Sequence, residues 1–403
     1  MKVNIVIIDQ AVVSGSRFLL TLLIAREFGI VEYGKYVVLW SSILLLTSIQ
    51  TPLIINPMMT IGARTKGVKH DEYFTSILYF QLIFTIISFF ILLLIYLISN
   101  LFFVANNFSL FLYLSLYGIT YNFYEYFRKY LITIYDDKQV LIKDISIYLL
   151  IFSGILILMK LSMFSLSSFF LLSFGIYLIF TISIVKYYKI INIDKKTFFQ
   201  YLNKNKLYSI PMLKLSVMQF FSGHLFIYLS VYLLGSYSSG IIGILRNLFA
   251  PLLVLFMMLD NTVPRYATKC YEKGLVELKI YINKLIKNWG IIVLLSITFL
   301  TIFSSEIISL FYGIEYSKYA TYTLWFSISH LFIYLNRIYS IYIRTTGKTS
   351  SFSKQGLYSF LYTIIFTFPL IYAFQLNGAF LVMLTQQIII FSILLKDSRY
   401  YAK

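Results

Sequence analysis

Residues 74–97 read FTSILYFQLIFTIISFFILLLIYL, an unbroken apolar run with no charged side chain in it. A helix of about 20 mostly apolar residues crosses a hydrocarbon core of roughly 30 Å. Working outward, similar stretches fall near 5–25, 36–62, 109–133, 145–160 and 165–185. A second set falls near 209–234, 239–263, 286–304, 319–344, 355–374 and 378–395. The pattern predicts about 12 transmembrane helices. Of the 403 residues 59% are hydrophobic and only 12% charged, where a soluble chain carries about a quarter charged. An ordinary cytosolic enzyme, a nucleic-acid-binding domain and a disordered tail are thereby excluded, and no nucleic-acid partner is expected. Cys270 is the single cysteine, so no intramolecular disulfide forms. Asp9 and Arg17 interrupt the first stretch, which therefore reads as a retained span and not a cleaved signal peptide.

The formal net charge is +18. Its distribution matters more than its size, because inner loops of membrane proteins concentrate Lys and Arg. Twenty-six of the 34 basic residues fall on the side of the N-terminus, among them Arg64, Lys66, Arg128, Lys143, Lys186, Lys195, Lys204, Arg265, Lys287, Lys348 and Lys403. The other side holds only Arg26, Lys35, Lys160 and Lys318. Both termini are expected to be cytoplasmic, in an all-α polytopic membrane protein.

The connection near 186–208 carries six lysines and divides the spans six and six, giving an N-terminal lobe 1–195 and a C-terminal lobe 196–403. After the first span the chain reads Phe28-Gly29-Ile30-Val31-Glu32-Tyr33-Gly34, and after the seventh Leu234-Gly235-Ser236-Tyr237-Ser238-Ser239-Gly240. Asn56-Pro57 and Val263-Pro264 recur at nearly the same offset. An even number of spans per half implies parallel repeats related by an axis along the membrane normal, with a cleft between two bundles that rock about a central site.

Soluble catalytic chemistry is not legible. His70, His224 and His330 lie far apart and offer no metal-ligand spacing. Gly347-Lys348-Thr349 resembles the end of a phosphate-binding loop, but Tyr342 stands where the first glycine belongs. Asn107-Phe108-Ser109 matches a glycosylation sequon, a match too common by chance to use. No cofactor is implied.

An ionisable group at mid-membrane costs a few kcal/mol, so it faces a cavity or a partner. Arg17 shares a helical face with Gln10, Ser14 and Thr21; it reads as a lumen cation or as a structural Arg paired with a neighbouring helix. Arg246 lies beside Asn247 and between Gly243 and Pro251, where a discontinuous helix would expose backbone dipoles. Arg337 lines up with His330, Ser340 and Arg344. Lys214 lies near the inner boundary, where snorkelling is the simpler reading, and a mid-span His224 reads first as a hydrogen-bonded packing residue. Glu125 has Arg128 and Lys129 at i+3 and i+4, suited to local pairing. Asp9 and Asp260 are expected near the inner face, hydrated. The deep groups are thus mostly cationic, which suits an anionic headgroup, held by Arg17, Arg246, Arg337, Lys214, His224 and His330 with Gln10, Ser14 and Asn247 in support.

The polar first span with Asp9, Ser14-Gly15 and Arg17, followed by Ala25-Arg26-Glu27-Phe28-Gly29-Ile30-Val31-Glu32-Tyr33-Gly34-Lys35-Tyr36, resembles the start of Wzx-type O-antigen and capsule repeat-unit flippases. These belong to the multidrug/oligosaccharidyl-lipid/polysaccharide (MATE/MOP) exporter superfamily. Phe28 replaces the usual Leu, and Phe311-Tyr312-Gly313-Ile314-Glu315-Tyr316 is similar to that family's outer-loop pattern. The resemblance implies a MATE-like fold in the bacterial cytoplasmic membrane. It implies movement of an undecaprenyl-pyrophosphate-linked glycan between leaflets by alternating access, with a polysaccharide polymerase and chain-length proteins as partners. A MATE-type cation-coupled multidrug exporter is the alternative that shares the layout.

Overall fold

The computed structural model describes residues 2–103, 108–134, 136–185, 188–347 and 350–400. Asn107 of the sequon match, Lys348 and Thr349 of the loop match, and the basic residues Lys186 and Lys403 lie outside the described residues. Among those described there is no strand.

Thirteen α-helices account for the described fold: α1 Lys2–Gln50, α2 Asn56–Thr60, α3 Val68–Phe103, α4 Phe108–Thr133, α5 Asp137–Lys160, α6 Leu166–Val185, α7 Lys195–Leu234, α8 Ser236–Leu248, α9 Ala250–Glu272, α10 Leu275–Ile302, α11 Ser304–Tyr312, α12 Thr323–Thr345 and α13 Ser350–Tyr400. Among the described residues seven helices are long and apolar enough to cross a membrane, eight if the α8–α9 pair, bent by 53°, counts as one span. The 26-residue α4 and 23-residue α12 are also long enough for a 30 Å core at 1.5 Å per residue, but they are more polar, α4 carrying Glu125, Arg128 and Lys129 and α12 carrying His330, Asn336 and Arg337. α1 and α13 each hold two expected spans, and each is broken inside. Gly29 (φ 76°) breaks α1 and Gln375 (φ 51°) breaks α13.

The chain divides into two compact units. One comprises Met1–Thr21 and Leu39–Val217; the other comprises Leu22–Val38 and Met218–Lys403. α1 therefore contributes to both.

In the first unit α4 packs along α6, and the contact is aromatic. Tyr117, Tyr121 and Tyr124 surround the Tyr177 ring with centroids 5.6, 5.5 and 5.3 Å away. Off-face ring pairs of this kind contribute beyond the area they bury. Gln50 adds a buried polar tie, donating to Gln81 Oε1 (3.0 Å) and to the Asn122 carbonyl (2.7 Å). Such bonds satisfy groups that lipid cannot. The second unit is centred on α12, packed on α10 and α13, with Tyr334 reaching the Leu285 carbonyl (2.9 Å). Outward faces are apolar: Ile86, Phe90 and Leu97 on α3 and Leu295, Phe299 and Ile302 on α10 are all exposed. Exposed apolar surface on this scale suits contact with lipid.

Candidate functional site: intramembrane charge clusters

Arg128 is the centre of the first cluster. Its side chain is 7% exposed. It donates from Nε to Asp144 Oδ2 (2.7 Å) and from Nη2 to Asp9, and its Nη1 lies 3.8 Å from Glu125. The carboxylates come from α1, α4 and α5, so one guanidinium ties three helices. Tyr124 donates to the other Asp144 oxygen (2.7 Å).

Arg17 continues the cluster. Its Nη2 lies 3.5 Å from Glu125 and donates to the Tyr121 hydroxyl (2.6 Å), while Nε donates to the Tyr148 hydroxyl (3.0 Å). Trp40 covers it at 5.7 Å, a cation–π contact. With 36% of its side chain exposed, Arg17 is the accessible rim of a network whose other arginine is sealed. Gln10 and Ser14, on the same helix, hydrogen-bond to each other (3.1 Å).

Three sequence expectations change here. Asp9, expected to be hydrated, is 3% exposed and paired with Arg128. Arg128 and Lys143, counted among the loop cations, are both buried, Lys143 donating to Ser183 (2.8 Å). The deep charge of this unit is also not mainly cationic, since Asp9, Glu125 and Asp144 accompany Arg17 and Arg128. Asp144 was missed because it stands at the edge of a predicted span, where a charge needs no explanation.

In the second unit Arg246 lies in the last turn of α8, beside the break at Phe249. It donates to the Gly223 carbonyl (2.7 Å) and lies 5.3 Å from the Phe226 ring centroid. The helix C-terminus favours a cation there. Among the described residues it has no carboxylate within ion-pair distance. Asn247 donates to the Tyr33 hydroxyl (3.2 Å), and Tyr33 belongs to the α1 segment of this same unit. His224 and His330 each donate Nδ1–H to a carbonyl one turn back, Phe220 (3.2 Å) and Phe326 (2.8 Å), and stack on Phe220 and Phe249. Both are thus occupied in packing. Arg337 is ion-paired with Asp260 of α9 and lies 5.6 Å from the Phe256 ring centroid. Lys214, in the first unit, is exposed.

Arg246, His224, His330 and Arg337 are therefore gathered in one unit, whereas Arg17, Gln10, Ser14 and Lys214 belong to the other. Among the described residues no group of three or more His, Cys, Asp and Glu side chains is placed to hold a metal ion.

Helices of this length, apolar outward faces and buried charge pairs define a multi-pass α-helical membrane protein. No family model matches the chain, and no curated protein matches it in sequence. The fold is nonetheless that of known transporters. It is similar to the inward-facing conformation of a multidrug resistance MATE family transporter of the MOP superfamily, with TM-score 0.68 and 12% identity over 100% of this chain and 94% of that one. It is similar to the lipid II flippase MurJ in an inward closed conformation, with TM-score 0.67 and 16% identity over 99% of this chain and 87% of that one. An outward-facing MATE structure matches at TM-score 0.62 and 13% identity over 99% and 95%.

Proposed function

We propose that the chain is a flippase of the bacterial cytoplasmic membrane that moves undecaprenyl-pyrophosphate-linked oligosaccharide repeat units, of O-antigen or capsule, by alternating access of two six-helix lobes. The carrying observation is Arg246. A half-buried guanidinium without a carboxylate partner, beside a broken helix, calls for an anion. A pyrophosphate offers paired oxygens suited to the guanidinium fork. Arg17 retains an accessible edge beside Trp40. Arg337, Lys214, Gln10, Ser14 and Asn247 complete the proposed set, with His224 and His330 packing behind it, and a glycan polymerase and chain-length proteins are the proposed partners. An inside-negative potential assists outward movement of negative charge by about 2.3 kcal/mol per charge per 100 mV.

A second reading, a cation-coupled multidrug exporter, is favoured by the three carboxylates Asp9, Glu125 and Asp144 in one unit. One experiment separates the two. Proteoliposomes are loaded with a fluorescent undecaprenyl-pyrophosphate glycan or with a lipophilic cation. The flippase reading expects movement of the glycolipid, lost in Arg246→Ala and in Arg17→Ala at unchanged protein abundance. Cation transport that survives Arg246→Ala, with no glycolipid movement, would establish the exporter instead.

A further inference from the structure

α7 is 40 residues long, about 60 Å at 1.5 Å per residue and twice a 30 Å hydrocarbon core. Its first turns therefore lie outside the core. One face of those turns is tied down within the first unit. Tyr201 donates to Glu72 (3.2 Å), Asn205 accepts from Tyr73 (3.2 Å), and Ser209 donates to the Leu53 carbonyl (3.4 Å). Residues 201, 205 and 209 follow i, i+4, i+8 and so share that face. Glu72 and Tyr73 directly precede the apolar run that opens at Phe74. The contact therefore holds this part of α7 level with the headgroups, at the mouth of the membrane.

The opposite face carries Lys196, Phe199, Lys206 and Ile210, with Lys204 and Leu207 beside them. Phe199 is 55% exposed and Leu207 85%. No acidic residue occurs between Asp194 and Asp260. Of the nearby acids, Glu72 accepts from Tyr201, Asp71 pairs with Lys189 (2.5 Å), and Asp194 accepts from the Thr197 N–H (3.0 Å) at the start of α7. Large apolar side chains interleaved with lysines, on a helix that runs on into a span, match the physics of an interfacial membrane segment. Two copies of this face would oppose lysine with lysine, a costly juxtaposition.

We propose that this face of α7 binds anionic phospholipid headgroups, with Phe199 and Leu207 seated at the acyl boundary and Lys196, Lys204 and Lys206 on the phosphates. Lys196, Lys204 and Lys206, counted above with the inner-side cations, are then more than a topology signal: they form a lipid-reading surface on the first turns of α7.

The full chain in nanodiscs of phosphatidylcholine with a minor share of phosphatidylglycerol should retain the anionic lipid preferentially, read by mass spectrometry of co-purified lipid. The preference should fall about fivefold for each lysine removed at low ionic strength in the series leading to K196Q/K204Q/K206Q, and should weaken for wild type as salt rises. Equal retention by wild type and the triple variant overturns the proposal. A second measurement does not depend on the lysine variants. An environment-sensitive dye at Leu207→Cys, in a Cys270→Ser background, should be quenched more by brominated phosphatidylglycerol than by brominated phosphatidylcholine. Equal quenching by the two lipids, or a signal that follows protein concentration instead of lipid, overturns it in favour of uncharged contact or a second copy.

Discussion

Gly34 and Gly240 make the same contact in opposite directions: a Cβ on Gly34 would overlap the Ser236 carbonyl oxygen, and a Cβ on Gly240 would overlap the Ile30 carbonyl oxygen. Ile30 and Ser236 each follow a glycine of positive φ, Gly29 at 76° and Gly235 at 91°. All the equivalent positions are 206 residues apart. A reciprocal contact of this kind is what local two-fold symmetry between the two glycine turns produces. Within the second unit it lets the α1 segment and α8 cross backbone to backbone, the use small residues serve in membrane helices. The recurrence of paired glycines thus has a structural cause in both copies: one glycine turns the chain, and the next admits the partner backbone.

Gly34→Leu and Gly240→Leu should each destabilise the protein by about 2 kcal/mol or more, because the obstructing atoms are backbone and cannot rotate away. Gly15→Ala is the contrast. Nothing lies within 4 Å of a Cβ there, so it should be neutral or stabilise by up to about 1 kcal/mol through helix propensity. Thermal unfolding of the purified variants checks both, and equal midpoints for Gly34→Leu and wild type would contradict the crossing.

Removing one partner of a buried ion pair leaves an uncompensated charge, at a cost of about 3–5 kcal/mol. Asp9→Ala should incur a loss of that order, since Arg128 loses a buried partner and Asp9 is itself 3% exposed. Lys35→Ala removes an exposed i, i+3 pair with Glu32 and should change stability by no more than about 0.5 kcal/mol. Folded yield and unfolding midpoint of the two variants report the difference.

The division between what was legible and what was not follows sequence distance. Apolar runs announce their helices locally, and the glycine pairs at 29/34 and 235/240 announce a repeat by offset alone. The Arg128 network was not legible, because Asp9 lies 119 positions away and nothing local marks Arg128 as buried beside Lys129. Counting it with the loop cations follows the positive-inside rule, which reads position along the chain and not burial. Arg17 shows the same limit from the other side. A structural pairing with a neighbouring helix could be read for it, but not that Glu125 supplies the carboxylate, nor that the Tyr121 and Tyr148 hydroxyls orient it. Of Arg17, Arg246 and Arg337, only Arg246 lacks a carboxylate within ion-pair distance among the described residues.

Arg337 and Asp260 form an ion pair with both side chains about one-third exposed, so each can reach a third party. If Arg337 serves only to neutralise Asp260, Arg337→Gln should lower folded yield, and adding Asp260→Asn should restore both yield and transport. If Arg337 also holds an anionic cargo, the double variant should recover yield while transport stays lost. A double-mutant cycle on yield and on glycolipid movement distinguishes the two, and the cargo role predicts coupling in the first measurement only.

Gln375 is held at φ 51°, ψ −130° where α13 breaks, a conformation that costs a residue with a Cβ about 1–3 kcal/mol. Its side chain is exposed, so little packing is lost when it is removed. The break is nevertheless enforced on both sides. Pro369 lies in the preceding segment, and a Cβ on Gly378 would overlap the Leu370 carbonyl, so the two segments of α13 approach closely across the break. Gln375→Gly should therefore stabilise the protein by about 1 kcal/mol, although glycine within a helix normally destabilises by a similar amount. The sign is the test. A lower unfolding midpoint for Gln375→Gly would mean that residue 375 is helical and that α13 runs unbroken.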